Sequence, residues 1–146
     1  MNTLLCVVTG KEILERQSAR TFHHLTLVFG GLNEQEADTR LHRGARSIRE
    51  QVVHLCESYH ALTTTFGGGK HDWGSYVAPI SEWPAVRDLA FLMREEAYGA
   101  ILNDNQERLQ GFLSNILSHE NYHIGQMVAI RLVMVRAVPK QYCPFF

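Results

Sequence analysis

A chain of 146 residues is long enough for one domain, residues 1–146, with a single core that needs no disulfide to hold it. A hydrophobic fraction of 45% against 20% charged residues excludes a disordered chain, and a net charge of -1 with scattered signs predicts no nucleic-acid partner and no membrane-surface partner. Cys6, Cys56 and Cys143 form no CxxC pair, and the apolar run from Leu4 to Val8 is too short for a spanning helix and lacks a basic leader, so a reducing, cytoplasmic setting is expected.

In chain order, the first helix is predicted from Thr9, where Thr9-Gly-Lys-Glu12 has the form of a capping box, to Phe29 before Gly30-Gly31. A polar stretch from Asn33 to Arg46, with room for a short turn of its own, leads to a second helix. That helix opens on a further capping box, Ser47-Ile-Arg-Glu50, and ends before Gly67-Gly68-Gly69. The loop from Gly67 to about Trp83 is long for a compact domain and carries His71, Asp72, Trp73 and Tyr76, all able to reach a ligand. A third helix starts near Pro84 and runs to about Leu102. After Asn103-Asp104-Asn105, the pattern Asp104-Asn-Gln-Glu107 opens a fourth helix that continues to about Arg136 and is stopped by Pro139. No segment alternates with period two, so the predicted fold is all-α: a four-helix bundle with a long connection between helices 2 and 3.

Chemistry concentrates on the fourth helix. At 100° per residue, Phe112, Ile116, Met127, Ile130 and Met134 fall within a sector of roughly 60°, and His119 and His123 land in its middle. Two imidazoles centred in an aliphatic stripe need partners, because an unpaired buried polar group costs about 1–3 kcal/mol. Their i, i+4 spacing aims both the same way, close enough to share one divalent ion. His119-Glu-Asn-Tyr-His123 also fits the HExxH pattern of zinc peptidases, yet no Asp, Glu or His follows between Ile124 and Phe146 to complete such a site. A third ligand must come from upstream. The paired ExxH motifs, Glu57 to His60 and Glu120 to His123, with Glu12, Glu15, Glu95 and Glu96 on the other helices, have the inventory of a di-iron carboxylate bundle. Against that, Ile48, Val52, Leu55, Tyr59 and Leu62 set the inward face of the second helix, and Glu57 points away from it.

Upstream histidines are His23, His24, His42, His54, His60 and His71. His60 reads as a helix-surface residue, and His42 and His71 as solvated loop residues. His54 and His60 lie at about equal angles on opposite sides of the stripe, so periodicity does not choose between them. Ser47-Ile-Arg-Glu-Gln-Val-Val-His54-Leu, followed by His119-Glu-Asn-Tyr-His123-Ile-Gly125-Gln126, resembles the DinB-like (YfiT-like) superfamily of metalloproteins. The resemblance implies that a helix-two histidine, His54, joins His119 and His123 on the fourth helix. It also implies a homodimer and a metalloenzyme acting on a small-molecule substrate, with a low-molecular-weight thiol as co-substrate, in S-transfer, isomerisation or hydrolysis. The short connection between the third and fourth helices departs from the family pattern and puts the wall of any substrate pocket in doubt.

Three neutral imidazoles leave an ion with open positions, unlike a closed structural site, and zinc, nickel, iron and manganese all suit such donors. On the wheel Glu120 lies about 80° from the centre line of the pair, off the line expected of a base. Gly125, Gln126 and Tyr122 read as packing and hydrogen-bonding residues. The competing reading is a non-enzymatic dimeric scaffold with a structural metal or none, its apolar tail from Val133 to Phe146 packing on a second subunit or closing the core.

Overall fold

The protein is seen in a computed structural model that describes the backbone of residues 10–102 and 106–135, and the side chains of residues 10–101 and 115–135. Among these residues all regular structure is helical: α1 (Gly10–Phe29), α2 (Glu34–Ala37), α3 (Ile48–Phe66), α4 (Trp83–Leu102) and α5 (Gln106–Ile130), the last continued by a π-helical turn, Arg131–Val135. The all-α class expected from the sequence is what is found. Helix α3 packs chiefly on α4 and α1 on α5, while α3 and α4 also touch α5. Ile48, Val52, Leu55 and Tyr59, at helical spacing on α3, are all buried against Leu25, Val28 and Phe29 of α1, Val86 and Ala90 of α4, and Met127 and Ile130 of α5. No helix among the described residues is long and apolar enough to cross a membrane.

Local chemistry sets the ends of these helices. The capping box at Ser47 forms: its hydroxyl accepts from the Glu50 N–H at 3.2 Å, and the Glu50 carboxylate accepts from the Ser47 N–H at 2.7 Å. A second box, Asn33 with Glu36, opens the four-residue α2 inside the polar connection. Arg49, in the first turn of α3, donates to Asp38, Glu34 and the carbonyl of Ser81, which draws α2 and the approach to α4 onto one guanidinium. Helix α1 gives way at Gly31, whose φ of 71° suits glycine. From the π-turn, Arg131 donates to the carbonyls of Leu27 (3.2 Å), Val28 (2.6 Å) and Gly30 (2.8 Å), satisfying groups that the end of α1 leaves open.

Two expectations are corrected. Met134 was placed on the inward stripe of the last helix but is 48% exposed, whereas Arg131 is buried. The π-turn takes up an extra residue, so the 100° phase is lost after Ile130. His71, expected as a solvated loop residue, has a side chain only 5% exposed. The loop folds back over α3, with the Gly74 N–H donating to the Glu57 carboxylate at 2.5 Å, which also covers a glutamate that faces away from the core. Gly74 takes φ 87°, so glycine suits this return. The capping patterns at Thr9 and Asp104, the side chain of Phe112 and the stop at Pro139 lie outside the described residues.

Candidate metal centre

His54 comes from the second turn of α3, and His119 and His123 from successive turns of α5. One nitrogen from each lies within 4.8 Å of the others. The rings of His119 and His123 are 4.6 Å apart between centroids, and each lies 5.1 Å from that of His54, in edge-on arrangements. His123 is buried, while His54 and His119 are half-buried. The three histidines therefore form a pocketed cluster with one side toward solvent.

Neighbouring side chains stand beside the ring nitrogens of the pair on α5. Ser58 donates its hydroxyl proton to the His54 carbonyl at 3.1 Å, and its oxygen lies 3.3 Å from His119 Nδ1, placed to accept from it. The Gln51 side-chain oxygen lies 3.2 Å from His123 Nδ1 and accepts from it. With Ser58 and Gln51 as acceptors, the two Nε2 atoms, 3.0 Å apart, present facing lone pairs; with the proton of either ring on Nε2 they form a single N–H···N hydrogen bond. In the first arrangement the two lone pairs repel unless a cation lies between them. An added proton is disfavoured there: burial, then His119 and His54, press the His123 pKa down to about 4. A divalent ion fits, since two ligands at about 2.1 Å enclosing about a right angle are about 3 Å apart. On the third ring, His54 Nδ1 lies 3.6 Å from Glu57 Oε2. Burial, followed by the charge of Arg46, lowers the His54 pKa, and burial, then His54 and Arg46, lowers that of His119. Neutral imidazole, the coordinating form, is favoured throughout.

The remaining candidates separate cleanly. His60 faces the loop, its Nδ1 3.3 Å from His71 Nδ1, and His71 in turn sits 3.3 Å from Glu57. His42 and His23 are exposed, and His24 borders a hollow of about 590 Å³ between α1 and α5 that touches none of the three clustered histidines. Glu57 lies on the far side of His54, outside the core, so the carboxylate inventory of a di-iron bundle does not assemble around it. Cys56 is buried, and desolvation pushes its thiol up to about 12, which keeps it protonated and inert.

Glu120 is completely buried but is not free to act as a base. Its Oε1 accepts from the Tyr59 hydroxyl (2.7 Å) and Arg94 Nε (2.8 Å), and its Oε2 from the Tyr98 hydroxyl (2.9 Å) and Arg94 Nη2 (3.2 Å). Arg94 also reaches the Ser18 carbonyl at 3.0 Å, so a residue from each of the four long helices meets at this carboxylate. Sequence reasoning missed this hub, as it missed Gln51 and Ser58. A signal was present in both cases: Arg94 and Tyr98 are one turn apart on α4, and Gln51, His54 and Ser58 at i−3, i and i+4 form a polar stripe on α3.

Two hollows border the cluster. One of about 280 Å³ is lined by Ser58, Ala61, Leu62, Trp73, Ile116 and His119. The other, about 320 Å³, is lined by residues that include His42, Arg46, Gln51, Tyr122, His123 and Gln126. Comparison with protein-family models, with curated proteins and with solved structures finds no match.

Proposed function

We propose that this chain is a divalent-metal protein of the DinB-like type, a four-helix bundle in which His54, His119 and His123 hold an ion at an accessible catalytic centre. The observation that carries the reading is the convergence of one nitrogen from each of the three histidines within 4.8 Å, with the Nε2 atoms of His119 and His123 3.0 Å apart and their Nδ1 atoms beside Ser58 and Gln51. An Nδ1–H held by Ser58 or Gln51 leaves Nε2 as the donor that a divalent cation takes. The same three residues are those that the family resemblance assigns.

Three protein donors leave coordination positions open, and the two adjoining hollows offer a small molecule a way to them. A bound divalent ion supplies a Lewis acid that lowers the pKa of a coordinated water or thiol and polarises a carbonyl. The chain's own contribution is orientation: Gln51, Ser58 and Glu57 each hold one imidazole. Glu120, with its acceptor positions taken by Arg94, Tyr59 and Tyr98, shapes the helix and moves no proton. The reaction class is S-transfer with a low-molecular-weight thiol, or hydrolysis.

The test is metal analysis of untagged protein, paired with His119→Ala. One zinc or nickel per chain in the parent, and loss of that metal in the variant with the far-ultraviolet spectrum and most of the melting temperature kept, is the expected result. A chain that takes up neither ion overturns the proposal. A steep fall in melting temperature on metal loss points instead to a structural ion in a non-enzymatic scaffold.

A further inference from the structure

The two hollows abut the histidine pair from opposite ends of one α5 turn, and their chemistry differs. At the His119 end the wall is methyl and ring surface from Ala61, Leu62 and Ile116, closed by the indole of Trp73, which is 62% exposed. A single exposed tryptophan is ordinary; one that walls an apolar hollow beside a metal-binding imidazole offers a stacking face. At the His123 end the wall carries Arg46, Gln51, Tyr122 and Gln126.

Arg46 is the informative residue there. It is exposed, and among the described residues no carboxylate stands within ion-pair distance of it. Its side chain lines the same hollow as His123, which brings a positive charge beside the cluster. An unpaired guanidinium beside a cation site works against the cation by repulsion. A ligand anion seated on Arg46 removes that conflict and gains a charge-assisted, two-pronged hydrogen bond.

We propose that the site takes a small organic carboxylate with an apolar body, the carboxylate held by Arg46 and the body laid against Trp73 across the histidine pair. The volume at the Trp73 end, about 280 Å³, lies at the lower edge of small-molecule sites and suits a phenyl ring or a short alkyl chain. The inference names a substrate class for the centre proposed above and rests on that reading for the ion between the two hollows.

Zinc uptake by the full chain is measured first, and 4-phenylbutyrate, 4-phenyl-1-butanol and acetate are then titrated into the zinc-treated protein. Trp73 fluorescence serves as one readout, because Trp83 is buried in the core, and calorimetry as the other. The acid is expected to bind roughly tenfold more tightly than the alcohol, and far more tightly than acetate. Arg46→Gln removes the preference for the acid, and Trp73→Ala brings the acid down to the level of acetate. Both residues are exposed, so neither change touches the core. Equal binding of acid and alcohol, or an Arg46→Gln protein that keeps the preference, overturns the proposal. If zinc is taken up and no probe binds, the proposal fails while the metal reading stands. If the probes bind with the Arg46 dependence to a chain that takes up no zinc, the carboxylate pocket stands and the metal reading fails.

Discussion

Gln51 and Ser58 stand beside the Nδ1 atoms of His123 and His119, and an Nδ1–H held there leaves each Nε2 free as a ligand. Gln51→Leu removes the acceptor for His123 Nδ1 and frees that ring to change tautomer. Zinc affinity is then expected to fall by about 10–100-fold, read by competition with a chromophoric chelator. Acidification acts on the same rings. With metal removed by a chelator, His123 binds a proton near 4 in the folded chain and near 6.5 when unfolded. The unfolded state therefore holds more protons between those values, and stability falls as pH falls through that window, on the order of 3 kcal/mol from this ring. Urea unfolding at pH 7.5 and pH 4 checks it; equal midpoints would contradict the burial of His123. Spacing alone made the pair on α5 legible, because i, i+4 geometry is local. The choice of His54 over His60 was not legible from periodicity, since the two flank the inward face of α3 symmetrically. What separates them is the neighbouring polar stripe and the loop that claims His60.

At the scale of elements, the helices were written plainly in caps and apolar spacing, and the described ends of α1, α3 and α4 fall within a residue or two of the boundaries read from sequence. Short-range chemistry decides such features: Ser47 with Glu50, and Gly31 after Phe29. Two things escaped because they are long-range. The π-turn after Ile130 accompanies Arg131 reaching the end of α1 about a hundred positions earlier, which no local window contains. The return of the 67–82 segment onto α3 depends on Glu57 meeting the Gly74 N–H. Gly74→Ala is expected to cost about 1–2 kcal/mol, because the alanine Cβ disfavours a left-handed backbone, with open space around it adding no clash. Thermal melting gives that loss. Proton spectra of His71 should shift toward those of an exposed ring as its cover loosens.

Across the whole molecule, the packing of α1, α3, α4 and α5 converges on Glu120. Burial first, and then the Glu120 charge, raise the hydroxyl pKa values of Tyr59 and Tyr98, so both stay protonated and keep donating. Glu120→Gln leaves the guanidinium of Arg94 without its counter-charge in a buried setting. The expected cost is about 3–5 kcal/mol in denaturant midpoint measurements, a large part of the stability of a chain this size. A value under about 1 kcal/mol would mean that the pair is solvated after all.

The position of that carboxylate, next in sequence to His119, makes damage at the two adjacent residues one-directional. Replacing the imidazole is expected to remove a ligand of the proposed centre and leave the scaffold standing, whereas neutralising its neighbour is expected to loosen all four struts and displace the three rings with them. Adjacent positions on one helix thus carry unequal consequences, and a survey of tolerated substitutions along this turn would find far fewer at Glu120 than at the residue beside it.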